Sequence, residues 1–190
     1  MKADVNRLGV QLDDKELRIL LSILENEPLT AYKIAVDNKM HFSYVYKKID
    51  MFEREELVAY FCEPGSGRKL YYILPKGVLT LMAYGAVASR RLLADKLRDK
   101  WNLKDFSEDE VIAIADLALR NYRPGMPIND IVMLAYTLYN KYLADDLDVR
   151  THDKTLLNKL FRTAFGSLMG LLGGECLQRC WQDLMSREYI

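Results

Sequence analysis

The stretch His41 to Glu56, HFSYVYKKIDMFEREE, decides how the rest of the 190-residue chain is read. Placed on a helix at about 100° per residue, it sets Phe42, Val45, Ile49 and Phe52 on one narrow face. Ser43, Lys47, Asp50 and Arg54 fall on the opposite face. One side is suited to packing and the other is free to touch something. The free side opens with hydrogen-bonding residues and a cationic pair, Lys47 and Lys48, and turns acidic only at Glu53, Glu55 and Glu56. That polarity suits a helix presented N-terminus first to a phosphate backbone, because its positive dipole end leads and its carboxylates trail.

Working outward toward the N-terminus, Asn38-Lys39-Met40 reads as a tight polar turn. Before it, Thr30 is placed to cap a short helix from Ala31 to Asp37, with Tyr32, Ile34 and Ala35 expected to face inward. Glu27-Pro28 stops an earlier helix, Glu16 to Glu25, which carries Leu17, Ile19, Leu20, Leu21, Ile23 and Leu24 behind a cap at Asp13 or Asp14. Residues up to about Leu12 are expected to form a loose arm. Toward the C-terminus the period changes: Leu57 to Cys62 and Leu70 to Leu74 read as two strands. Between them Glu63-Pro64-Gly65-Ser66-Gly67-Arg68-Lys69 forms a glycine-rich tip ending in two cations, so the strands make a hairpin.

Three short helices and a hairpin with a basic tip are the order of a winged helix-turn-helix, in which the third helix enters the major groove and the wing grips the neighbouring backbone. The segments EPLTAYKIAV, YVYKKIDMFEREELV and GSGRKLYYILPKG resemble the winged-helix domain of PadR-like transcriptional regulators. A Gly-Tyr pair, a Leu-Tyr pair, a Leu-Glu-x-x-Gly-Leu run and a Tyr-x-Leu-Thr-x-x-Gly ending recur in that family. The likeness runs from Lys15 to Gly85 and departs from the pattern at Ala31, Val45, Glu56 and Pro75, which stand in place of glycine, leucine, glycine and threonine. Broader winged-helix families such as MarR-like regulators share the same order.

From Ala86 onward only helical patterns occur. They run from Val87 to Trp101, from the capping box Ser107 to Glu110 to about Tyr122, and from Asn129 or Asp130 to about Leu143. A charged loop, Ala144 to Arg150, precedes a helix capped by Thr151 and running through Leu172; Gly173-Gly174 then separates it from a last helix, Glu175 to Arg187. The expected fold class is therefore mostly α with a small β-hairpin: a winged helix-turn-helix over residues 1–85 and an all-helical dimerisation domain over residues 86–190. These helices carry apolar residues on more than one face, and a second copy of the chain is the simplest cover, since helix-turn-helix proteins read paired half-sites as two-fold dimers. Gly166 and Gly170 would allow another helix to come close.

Composition narrows the function classes. Half the residues are hydrophobic and 28% charged, as in a globular protein, and no apolar run reaches membrane-spanning length. The first residues lack the apolar middle of a secretion signal, and the three cysteines show no framework spacing, so a cytoplasmic setting is expected. A net charge of zero argues against indiscriminate coating of nucleic acid; any affinity must come from local placement of charge. No nucleophile elbow, Walker loop or HExxH helix is present, and neither catalysis nor a cofactor is expected.

The expected partner is double-stranded DNA. Ser43 and Lys47 are the first candidates for base edges, with Tyr44 and Tyr46 on the flanks reaching sugar-phosphate or thymine methyl groups. Lys48, Arg68, Lys69, Thr30, Lys33, Lys39 and His41 are candidates for phosphate. Tyr136, Tyr139 and Tyr142 with Trp181 either line a pocket for a small-molecule effector or pack along an interface with their hydroxyls wet, the second being the simpler reading. Cys176 and Cys180 share a helix face but have no neighbouring ligand in sequence, and His41 and His152 lie far apart, so no metal site is expected. Asp145, Asp146 and Asp148 read as a solvated loop. A rival from another class is a winged-helix protein-interaction module in replication, plasmid partition or a multiprotein complex; a third reading is an RNA-binding winged helix.

Overall fold

The computed structural model describes residues 8–150 and 153–172, with side-chain surroundings given as far as residue 166. Helix α1 spans Asp14–Asn26 and starts at a reciprocal capping box. The Glu16 N–H donates to the Asp13 carboxylate at 2.8 Å, and the Asp13 N–H donates to Glu16 Oε2 at 2.7 Å. Its buried stripe is Ile19, Leu20, Ile23 and Leu24. The arm expected before it is not loose over residues 8–12: Leu8, Val10 and Leu12 alternate into the core, and the Leu12 N–H donates to the Tyr84 hydroxyl at 2.7 Å.

Helix α2, Ala31–Asp37, is capped by Thr30, whose hydroxyl accepts from the Lys33 N–H at 3.1 Å. It buries Ala31, Ile34 and Ala35, but Tyr32 points outward at 68% exposure, against expectation. A seven-residue helix buries only a narrow stripe, and Ala31 at its first position takes the inward place assigned to Tyr32. The chain then reverses through Lys39, at φ +54°, with the Met40 N–H donating to the Ala35 carbonyl at 2.9 Å. Helix α3, Phe42–Arg54, buries Val45, Ile49 and Phe52.

Strands β1, Val58–Cys62, and β2, Lys69–Ile73, pair antiparallel in a register that sets Val58 opposite Ile73 and Cys62 opposite Lys69. A bridge between Leu29 and Tyr71, made by two backbone hydrogen bonds of 2.8 and 3.0 Å, joins the hairpin to the α1–α2 connection. With that bridge, α1, α2, α3 and the hairpin complete a winged helix.

Helix α4, Pro75–Ala83, was not anticipated from the sequence pattern; its opening Pro-Lys-Gly reads as the end of the wing. Proline at the first helical position needs no N–H partner, and Gly77 lets the helix press onto the chain leaving α3: a Cβ there would lie 2.3 Å from the Leu57 carbonyl oxygen. Buried on most sides, α4 touches α1, α5 and α6. One continuous core therefore runs across residue 85, from Leu8 to Ala164.

The remaining described helices are α5, Arg90–Lys100; α6, Glu108–Arg120; α7, Ile131–Leu143; and α8, Asp153–Leu172. Helix α5 begins at Arg90 behind a Ser89 cap, three residues later than the apolar pattern suggests. Helices α5 and α6 pack together, as do α7 and α8. Trp101, at 1% exposure, closes α5 with its indole N–H on the Ile128 carbonyl at 2.9 Å. Asn129 links the two halves: its side-chain oxygen accepts from the Lys76 N–H opening α4 (2.8 Å), and its NH2 donates to the Glu56 carbonyl after α3 (3.1 Å). Among the described residues no atom would come within 4 Å of a Cβ on Gly166, so that position of α8 is open. No helix among the described residues is long and apolar enough to cross a membrane. Cys176, Cys180, Trp181, Thr151, His152 and the helix expected from Glu175 lie outside the described residues.

Candidate nucleic-acid interface

Helix α3 divides into four strips. Val45, Ile49 and Phe52, each at 1% exposure or less, hold it to the body. Ser43, Lys47, Asp50 and Arg54 face directly away and are all exposed, and among the described residues no hydrogen bond or ion pair joins them to the C-terminal half. Asp50 and Arg54 neutralise one another at 3.0 Å, which leaves Ser43 and Lys47 as the chemically open pair near the helix start. The His41 ring nitrogen Nδ1 meets the Ser43 hydroxyl at 2.8 Å, orienting it while leaving further hydrogen-bonding capacity on the oxygen.

The third strip faces α1. The Lys48 ammonium is in an ion pair with Glu16 and stands 5.4 Å from the Tyr44 ring centroid; Lys15 approaches the same ring at 5.9 Å. The hydrogen bond to Glu16 holds the Lys48 pKa above its ordinary value. Burial, followed by the charge of Asp13, pushes the Tyr44 hydroxyl up. The Lys48 charge is thus directed at α1, and Tyr44 is half-buried beneath it.

The fourth strip faces the wing and holds Phe42, Tyr46 and Glu53. Phe42 was expected inside, but 48% of it is exposed, and so are its neighbours His41 and Ser43 in the first turn. Its ring centroid lies 6.0 Å from that of Tyr46, which is 51% exposed. Burial and then the Glu53 carboxylate push the Tyr71 hydroxyl up, Lys69 opposes them, and Tyr46 adds to the rise, so Glu53 and Tyr46 of α3 lie on the side of the hairpin that carries Tyr71.

The wing tip is ordered by its own polar atoms. The Glu63 N–H donates to the Arg68 carbonyl at 2.8 Å, the Ser66 hydroxyl donates to Glu63 Oε2 at 2.6 Å, and Gly65 and Gly67 take φ +84° and +66°. Arg68 is exposed at this tip, while the Lys69 ammonium sits 3.7 Å above the Tyr60 ring centroid. Of the other predicted contacts, Lys33 pairs with Asp37 at 2.6 Å, the Thr30 hydroxyl serves its cap, and Lys39 and His41 are exposed beside the turn into α3. The structure thus brings Lys39, His41, Ser43, Tyr46 and Lys47 to one end of the helix-turn-helix, and points Lys48 away from it. Sequence reasoning missed the surface role open to Phe42, Tyr32, Tyr60 and Phe61; a phenylalanine in the first turn, ahead of a complete Val45-Ile49-Phe52 stripe, is the available signal.

In the C-terminal half Tyr139 and Tyr136 of α7 meet aromatic rings of α8. Tyr139 stacks on Phe161 with centroids 4.1 Å apart and planes 16° from parallel, and Tyr136 approaches Phe165 at 6.1 Å. A shallow depression of roughly 410 Å³ lies elsewhere, lined by Arg120, Arg123, Lys141 and the acidic loop. Arg123 pairs with Asp146 at 2.9 Å, and Arg120 with Asp153 at 2.7 Å and with the Asp148 carbonyl at 2.8 Å, so the loop is pinned as well as solvated.

No family model matches the chain, and no curated protein matches it. Among solved structures it is similar to the PcaV transcriptional regulator from Streptomyces coelicolor in complex with its natural ligand, at 16% identity over 57% of this chain and 73% of that one, TM-score 0.38. It is also similar to a MarR family transcription regulator, at 20% identity over 75% and 79% of the two chains, TM-score 0.39. A third is Lactococcus lactis ZitR in complex with DNA, at 19% identity over 56% and 70%, TM-score 0.36. None of the three is described as PadR-like.

Proposed function

We propose that this protein is a sequence-specific double-stranded DNA-binding transcriptional regulator that acts as a homodimer, and that its winged helix is PadR-like. The observation that carries this reading is the joint exposure of Ser43 and Lys47 at the start of α3 and of Arg68 at the wing tip. A helix-turn-helix docks by setting its third helix in the major groove while the wing reaches the adjacent backbone, and these residues occupy those two places. Lys39, Lys47 and Arg68 are exposed and make no ion pair among the described residues; Lys33, also exposed, and Lys48 are held in ion pairs. With so few per subunit in a chain of zero net charge, useful affinity needs two subunits. The second copy would join through the C-terminal helices, where α7 leaves Met133, Tyr136 and Leu143 exposed. Repression would then be steric, two recognition helices in successive major grooves blocking a promoter.

Titrating the full chain against duplex DNA at several salt concentrations tests this. Six exposed cations in a dimer correspond to a slope of about −5 in log affinity against log salt. Replacing Lys47 and Arg68 by Ala should flatten it by about 1 for every phosphate contact removed. Binding that ignores salt, or ignores both substitutions, would favour the interaction-module reading. That second reading is supported by Tyr32 and Val36, which leave α2 with an apolar outer face, 68% and 52% exposed.

A further inference from the structure

The first two turns of α3 carry an unusual set of side chains for a surface that meets base edges. Phe42, Ser43, Tyr46 and Lys47 are exposed there, whereas the residues that read guanine or adenine through paired hydrogen bonds, apart from a single lysine, are missing. Arg54 lies at the far end of the helix and is held by Asp50. What the surface offers instead is aromatic area: two half-exposed rings one turn apart, 6.0 Å between centroids, on the side of the helix that faces the wing.

A phenyl ring makes no hydrogen bonds, and leaving it in water is unfavourable unless something apolar covers it on binding. In the major groove adenine, guanine and cytosine present donors and acceptors, and thymine alone presents an apolar group, its C5-methyl. Cations accompany the rings on the same elements: Lys47 on the adjoining strip of α3 and Lys39 in the turn before it, while the wing carries Arg68 exposed at its tip and Lys69 over the Tyr60 ring. The apolar spot therefore sits inside a surface suited to a polyanion, which a purely apolar protein partner would leave unmatched.

Resting on the DNA-binding reading above, we propose that Phe42 and Tyr46 form a methyl-reading pair that selects thymines in the half-site, next to the position addressed by Ser43 and Lys47. Phe42 contributes only van der Waals contact. Tyr46 adds a hydroxyl that reaches the sugar-phosphate edge on the wing side. The half-site so defined contains thymine at the step facing the first turn of α3.

The experiment takes a duplex selected from random DNA with the full chain and replaces each thymine in turn by deoxyuridine, which keeps the base pair and removes the methyl group. Binding is compared for the natural chain, Phe42→Ala and Tyr46→Phe, each checked for an unchanged melting temperature. One or two positions should lose about fourfold in affinity per methyl removed. Phe42→Ala should bind the thymine duplex as the natural chain binds the deoxyuridine one, with its salt slope unchanged, and Tyr46→Phe should retain the methyl dependence. Equal affinity for thymine and deoxyuridine at every position, with salt-sensitive duplex binding intact, would overturn the methyl-reading pair and leave the regulator reading standing. Tighter binding to the unpaired strand, as expected if the rings stack on splayed bases, or no duplex binding at all, would overturn both.

Discussion

Helices α3 and α7 are each 13 residues long and each bury three side chains, Val45, Ile49 and Phe52 in one and Leu134, Ala135 and Leu138 in the other. Their outward faces differ. On α3 that face is Ser43, Lys47, Asp50 and Arg54; on α7 it includes Met133, Tyr136 and Leu143, the last 65% exposed. A polar face can remain hydrated in the free protein and exchange counterions for phosphates on binding, so it suits a partner that comes and goes. An apolar face is disfavoured in water by roughly 25 cal/mol for each Å² exposed, which suits a permanent cover such as a second subunit. Equal anchoring and opposite outer chemistry thus separate a face suited to the proposed polyanion from a face suited to the proposed second copy of the chain.

The comparison breaks first where the anchoring is removed. Phe52→Ala leaves a cavity beneath α3 at a fully buried position, and denaturant unfolding should show a loss of about 3–5 kcal/mol. A loss below about 1 kcal/mol would mean that α3 is not held as described. The next effect concerns the joint between the two regions. The Glu27 side chain, 8% exposed, receives Lys96 at 2.8 Å, Lys100 at 3.1 Å and the Ile73 N–H at 2.6 Å, so it joins α5 to the base of the wing. Glu27→Gln should cost about 3 kcal/mol, the low end for a broken buried pair, because both lysines can swing toward water.

The apolar face of α7 can be tested without touching the core. Met133→Glu with Leu143→Glu should raise the dimer dissociation constant at least tenfold in analytical ultracentrifugation, about 1.4 kcal/mol, while the melting temperature measured at low concentration stays close to that of the natural chain. An unchanged dimer would move the subunit contact elsewhere. The smallest effect lies at the end of α3. Glu56 adopts φ +56°, a conformation that glycine takes without steric cost, and its carbonyl already accepts from Asn129. Glu56→Gly should therefore leave that bond intact and stabilise the protein by about 1 kcal/mol in the same unfolding measurement.

The value at Glu56 shows how legible the first half was. Its place in the pattern belongs to a turn glycine, and the backbone there is indeed left-handed, so the turn geometry could be read even through a substitution. The caps at Thr30 and Ser107 were readable for the same reason, and those at Asp13 and Asp130 to within one residue, since each depends on a side chain and a backbone N–H two or three residues away. Helix α4 was hidden, because Pro75-Lys76-Gly77 reads as a turn until the Leu57 carbonyl is known to lie where a side chain would be. The surroundings of Lys48 were hidden for a related reason: it neighbours Lys47 in sequence, but Glu16, its ion-pair partner, lies 32 residues away.

By itself the sequence determined the helical periods, the hairpin, the caps and the presence of one cationic helix face, all of which follow from interactions within a few residues. Only the tertiary structure decided which cations remain open, which ring among Phe42, Tyr44 and Tyr46 is covered, and that residues 8–12 and α4 weld the two halves into one core. Those outcomes depend on what approaches from distant parts of the chain. Periodicity says which way a side chain points, and only packing says whether anything is there to meet it.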